Sequence, residues 1–174
     1  LGWLDTCPTL QEAQFVLRPL LGRTDLEAGE ARKVVTAGLG WLATYPTLLE
    51  AQFVLGPLLG RTDLEVGEAR RAVTAGLRWL DSYPTLEEAG YVLAPVLGRT
   101  DLEVGEARRA ATAGLGWLAT YPTLQEAGYV LGPLLGRTDL EAGEARKAVT
   151  AALGWLDTYP TLQEAQYVLA PVLG

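Results

Sequence analysis

Histidine, methionine, asparagine and isoleucine are absent from this chain, which holds one cysteine, Cys7, one serine, Ser82, and two lysines, Lys33 and Lys147. Each gap closes a class of chemistry. Without histidine, the usual general base and the commonest metal ligand are missing. A single cysteine permits neither a disulfide within the chain nor a zinc cluster nor a thiol-based dyad. Cys7 also stands in a slot otherwise held by Tyr45, Tyr83, Tyr121 and Tyr159, so it reads as a drifted core position. Ser82 replaces a threonine and is no credible nucleophile. No apolar run reaches the roughly 20 residues that a membrane span needs, and no signal-peptide pattern opens the chain. The net charge of -7 comes from acidic and basic residues that alternate, which argues against a surface tracking phosphates. The expectation is a cytoplasmic protein that is not an enzyme and has no cofactor, no metal, no nucleic-acid partner and no membrane partner.

What the chain does have is a period. Trp3, Trp41, Trp79, Trp117 and Trp155 stand 38 residues apart among nearly identical neighbours. The 174 residues therefore divide into a partial unit 1–8, units 9–46, 47–84, 85–122 and 123–160, and a partial unit 161–174. A unit this small cannot bury its own apolar face, so neighbouring units must share a core, and residues 1–174 read as a single repeat domain. The missing initial methionine and the ends inside a unit suggest a fragment of a longer array. The twelve arginines suggest GC-rich codon usage.

Each unit announces two helices. Thr9-Leu10-Gln11-Glu12 and Thr24-Asp25-Leu26-Glu27 both carry Thr-x-x-Glu, the pattern of a capping box in which hydroxyl and carboxylate satisfy helix-start N–H groups reciprocally. The spacing predicts helix A over Leu10 to about Leu21, closed by Gly22 in the left-handed conformation. It predicts helix B over Asp25 to about Thr44, roughly 30 Å long at 1.5 Å per residue, ending before Tyr45-Pro46. Ala31, Val34, Val35, Gly38, Leu39, Leu42 and Tyr45 form one buried stripe on helix B. Trp41 lies off that stripe and is expected to bury a second side against the next unit. Pro19, Pro57, Pro95, Pro133 and Pro171 fall inside helix A, which must bend or break there. Gly29, Gly38 and Gly40 suggest close helix packing, and Ala152 at the Gly38 slot agrees.

The carboxylate pairs Asp25/Glu27 and Glu27/Glu30 recur at helix starts, where negative charge suits the helix dipole, and they read as capping groups. Arg32, Arg70, Arg108 and Arg146 form a ladder, one per unit. It could grip carboxylates, although salt bridges to acidic neighbours are the simpler account, and the same holds for Arg23 and its repeats.

Comparing the units with one another marks a variable face on helix A. Gln11, Gln14, Phe15 and Arg18 give way to Leu49, Gln52, Phe53 and Gly56, then to Glu87, Gly90, Tyr91 and Ala94. Offsets of three, four and seven trace one side of a helix. With Gln125, Tyr129, Gln163, Gln166 and Tyr167 from the later units, these positions form the candidate partner-binding face, with aromatics as anchors and Gln, Glu or Arg tuning preference. Drift on an unselected surface is the other reading.

The stretch Pro19-Leu20-Leu21, Asp25, Glu30-Ala31-Arg32-Lys33 and Gly38-Leu39-Gly40-Trp41-Leu42 resembles a HEAT repeat. Leu17 with the small residues Gly56, Ala94 and Gly132, Ala31 and the closing Pro46 are similar to the tetratricopeptide pattern. Either resemblance implies an all-α fold, a right-handed α-solenoid of tandem two-helix repeats whose concave face binds a protein or peptide. The function expected is a non-enzymatic binding scaffold within a larger protein. The alternative is a structural array, natural or engineered, stacking end to end with copies of itself.

Overall fold

The computed structural model describes residues 11–160 together with 165, 166 and 168. The described part is all-α, with no strand among the described residues. Short helices α1 (Gln14–Leu21), α3 (Gln52–Leu59), α5 (Gly90–Leu97) and α7 (Ala127–Leu135) alternate with long ones, α2 (Ala28–Thr44), α4 (Val66–Ser82), α6 (Val104–Thr120) and α8 (Ala142–Thr158). Every long helix has 17 residues, and their first residues are 38 apart. The chain divides into two compact units between Ser82 and Tyr83. In the first, α1 packs beside α3 and α2 beside α4, with each short helix also against long neighbours; in the second, α5, α6, α7 and α8 pair in the same way.

The stripe on the long helix is buried as its spacing requires: Ala31, Val34, Val35, Gly38, Leu39 and Leu42 are buried, and only Tyr45, past the helix end, is half-buried. Gly38 marks a close approach between helices. A Cβ there would lie 3.2 Å from Leu21 Cδ1 and 3.8 Å from Val54 Cγ1, so α2 is pressed by side chains from both α1 and α3. Gly114 repeats the arrangement against Leu97 and Val130. Gly29 and Gly40 face open space, where a Cβ would meet nothing within 4 Å, so close packing does not account for them.

Tryptophan fixes the join between the long and short helices of its own repeat, and Trp117 also borders a cleft with Leu124, Glu126 and Tyr129 of the next. The indole N–H groups of Trp79, Trp117 and Trp155 donate to the carbonyls of Leu48, Leu86 and Leu124 at 2.9, 2.8 and 2.9 Å. Each of those leucines lies in the same 38-residue repeat, ahead of its short helix. Trp41, Trp79, Trp117 and Trp155 are all fully buried. Each buried indole removes on the order of 200 Å² from water, about 5 kcal/mol of transfer free energy. The tyrosine that ends the long helix joins in: Tyr121 and Tyr159 donate their hydroxyls to the Thr85 and Thr123 carbonyls, both at 2.7 Å.

Three helix-boundary expectations are corrected. The long helices start three residues later than expected, because the Arg23 guanidinium chelates Asp25 and holds Arg-Thr-Asp as a turn. Capping passes from Thr24 to Glu27, whose N–H donates to the Glu30 carboxylate; Glu65, Glu103 and Glu141 repeat it with Glu68, Glu106 and Glu144. The short helices start through 3-10 turns, Gln11–Ala13, Leu49–Ala51 and Glu87–Ala89, and Leu48 and Leu86 cap two of these with extended backbone and no side-chain bond. Gly22 is right-handed at φ -77°, and no described glycine has positive φ. The last turn tightens instead, with the Arg23 N–H donating to Leu20 O, so no left-handed residue is needed. Pro19, Pro57, Pro95 and Pro133 lie within helices that do not break at them, each ending two residues later. Cys7, Trp3, the Thr9 box and Pro171 lie outside the described residues.

Arginine in the turn links successive repeats inside each compact unit. Arg61, with only 8% of its side chain exposed, chelates Asp63 at 2.8 and 2.5 Å and donates through Nη1 to Leu21 O and Arg23 O at 2.9 and 3.1 Å. Arg137 does the same with Asp139, Leu97 O and Arg99 O. The helix B arginines play the salt-bridge role instead: Arg32 pairs with Glu65, and Arg108 with Glu141 at 2.7 Å.

Hydrogen bonding from the Arg61 and Arg137 guanidiniums, the largest cause, holds the Asp63 and Asp139 carboxyls below the ordinary carboxylate range. A carboxyl depressed in the folded state stabilises fully above its unfolded pKa of about 3.9 and loses that contribution as pH falls through the folded value. Urea unfolding followed from pH 7 downward should therefore show a stability loss beginning below about pH 4, and the Asp63→Asn/Asp139→Asn variant should flatten it. Gly116→Ala, at a position with open space around it, should raise unfolding free energy by about 0.5–1 kcal/mol. Gly114→Ala should gain less, since Leu97 must shift.

Candidate functional site

The short helices have one apolar side and one that they leave open. In α5, Val92, Leu93, Val96 and Leu97 face inward and are buried. Tyr91 cannot join them without leaving the helix, and it stays 62% exposed. Phe15, Phe53 and Tyr129 hold the same slot and are 73%, 37% and 53% exposed. Large aromatics left in water at a fixed register are the most unusual surface feature of the chain.

In the second compact unit two of these rings border a cleft of about 430 Å³ between α5 and α7. Tyr91 and Tyr129 form its apolar walls with Ala94 and Leu124, while Glu87, Glu88 and Glu126 supply three carboxylates. Gly90 makes the floor. A Cβ on Gly90 would lie 3.1 Å from Trp117 Cζ2, so the glycine lets the short helix rest directly on the buried indole. Gly128 rests on Trp155 in the same way, at 2.9 Å.

The first unit treats the equivalent positions differently. Gln14 and Gln52 occupy the Gly90 slot and are buried, 5% and 6% exposed, each with its Oε1 lacking a hydrogen-bond partner. Arg18 occupies the Ala94 slot, and its guanidinium lies over the Phe53 ring, 4.9 Å from the centroid. Such a contact at an exposed site contributes about 0.5–1 kcal/mol.

The structure thus brings together Glu87, Tyr91 and Tyr129 from the face read in the sequence, and places Arg18 with Phe53. Phe15, Leu49, Gln125 and Gln166 are exposed but do not line this cleft. Gln14 and Gln52 are not on an open face at all, which corrects their assignment. Their slot is held in the second unit by Gly90 and Gly128, each of which lies against an indole. Gln11 begins a 3-10 turn, and Gln163 and Tyr167 lie outside the described residues. Sequence reasoning missed the contributions of Glu88, Glu126, Leu124 and Trp117. Glu88 and Glu126 complete the Thr-x-x-Glu pattern of their repeats and so read as capping groups; the glycine replacing glutamine at positions 90 and 128 was the available signal.

A second hollow, about 660 Å³, lies between α2 and α4 and is lined by Arg70, Arg71 and Arg78. Arg78 stands where the other repeats have Gly40, Gly116 and Gly154. Among the described residues no group of three His, Cys, Asp or Glu could hold a metal ion, and no helix is long and apolar enough to cross a membrane.

The buried Gln52 carbonyl oxygen forfeits its hydration with nothing in return. Gln52→Leu, of similar volume, should therefore raise the unfolding free energy by about 1 kcal/mol in urea titrations. Set against known proteins, the chain finds no match among protein-family models, curated proteins or solved structures.

Proposed function

We propose that this chain is an α-solenoid of 38-residue helical hairpins, resembling HEAT or tetratricopeptide arrays, and serves as a non-enzymatic scaffold that holds a peptide or protein partner on its short-helix face. The observation that carries the reading is the exposure of Phe15, Phe53, Tyr91 and Tyr129 at one register, on a chain that buries all four of its described tryptophans. Rigid aromatic rings anchored on packed helices bind at small entropic cost, and such residues dominate binding energy at interfaces. The cleft between α5 and α7 offers the concave, mainly apolar pocket with a few polar groups that peptide side chains occupy. The absence of histidine and of a paired cysteine leaves the same surface without the usual groups for catalysis.

The test is a displayed library of random peptides selected on the full chain, followed by affinity measurement on the Tyr91→Ala/Tyr129→Ala variant. Both rings are largely solvated, so thermal unfolding should shift little. The selected peptides should lose at least about tenfold in affinity, equivalent to about 1.4 kcal/mol. Peptides that bind the variant as tightly as the parent would remove this face from consideration.

A further inference from the structure

We infer that the cleft between α5 and α7 takes the guanidinium group of an arginine side chain presented by a peptide partner. This rests on the scaffold reading above and names the chemistry of its occupant.

The charge of the cleft sets the sign. Glu87, Glu88 and Glu126 line it with no lysine or arginine beside them, and none of their three carboxylates has a hydrogen bond or ion pair among the described residues. Six arginines show how the chain satisfies a carboxylate where it does so: Arg23, Arg61, Arg99 and Arg137 each chelate an aspartate two residues on, and Arg32 and Arg108 reach glutamates of the following repeat. The cleft gathers three carboxylates around two aromatic rings with no such cation. The half-exposed rings of Tyr91 and Tyr129 favour the same sign, because the negative face of an aromatic ring attracts a cation.

The first compact unit shows what fits. Adding two repeats, 76 residues, maps Arg18 onto Ala94 and Phe53 onto Tyr129. The guanidinium that the chain itself lays over Phe53 in one unit has no counterpart in the other, where Ala94 lines the open cleft beside Tyr129. The same mapping turns Gln11 into Glu87, so where the internal cation is lost a carboxylate is gained. An incoming arginine replaces the missing one: its flat face stacks on the Tyr129 ring, and its fork of N–H donors meets the carboxylates at the rim. Lysine carries the charge without the plane or the fork.

The test uses isotope-labelled full chain titrated with capped pentapeptides Gly-Gly-X-Gly-Gly, with X arginine, citrulline, lysine or glutamate, while the Trp117 indole and Tyr91 and Tyr129 ring signals are followed by NMR. Citrulline matches arginine in shape and lacks its charge. The arginine peptide should shift these signals saturably, the citrulline and glutamate peptides at least about tenfold more weakly, and lysine in between. Ala94→Arg should supply the cation internally and weaken the arginine peptide at least about tenfold, whereas Ala94→Gln should not. A diffuse attraction of a cation to an acidic chain would survive Ala94→Arg. If that variant fails to fold, Glu87→Gln/Glu88→Gln/Glu126→Gln should show the same loss. Equal shifts from arginine and citrulline, equal affinity for lysine, or unmoved cleft signals would overturn the inference. Selected peptides that need Tyr91 and Tyr129 but no arginine would overturn it while leaving the scaffold reading intact; peptides indifferent to both rings would sink the scaffold reading instead.

Discussion

The hydrogen bond from a buried indole N–H to a leucine carbonyl, seen at Trp79, Trp117 and Trp155, sets the geometry on which the rest relies. The accepting carbonyl is also the one that receives the first turn of the short helix: the N–H groups of Ala51, Ala89 and Ala127 donate to Leu48, Leu86 and Leu124. One oxygen therefore fixes where the short helix begins relative to the end of the long one. That choice of start puts Gly90 and Gly128 against Trp117 and Trp155 and turns the next residue, Tyr91 or Tyr129, to water. A buried indole with its N–H unpaired would cost more than the bond contributes, so the start of the short helix has little freedom to slip.

A second constraint acts between repeats. The turn arginines Arg61 and Arg137 commit one edge of the guanidinium to an aspartate of their own turn and the remaining nitrogen to two backbone carbonyls of the preceding repeat. Tryptophan sets the angle inside a repeat and arginine the spacing to the one before. With both fixed by buried polar groups, the exposed side of the short helices is released from structural duty. Its residues can change from Arg18 to Ala94 without altering the frame that holds them.

The sequence was legible where burial alone decides. The helical period on Ala31 through Leu42, the stop before Tyr45-Pro46 and the exposure of the Phe15 slot all follow from hydrophobic spacing and proline sterics. It was misleading where two local solutions compete. Thr24-x-x-Glu27 is a sound capping box, but Arg23 and Asp25 form a chelate that removes Thr24 from the helix, and Glu27-x-x-Glu30 takes over. Gly22 could have been left-handed, yet an i to i-3 bond closes the helix without it. Variation between repeats mixed two kinds of position: Arg18 and Glu87 meet solvent, whereas Gln14 and Gln52 are buried. The cleft itself could not be read, since it depends on how closely α5 and α7 approach, and periodicity carries no distance.

The link made by Arg61 and Arg137 has one further property. Both reach back to main-chain oxygens, which every residue type carries, so the contact asks nothing of the preceding repeat's side chains beyond its fold. Copies joined this way are interchangeable. Such a junction lets the neighbours inside each compact unit diverge in what they display while the contact that joins them stays the same.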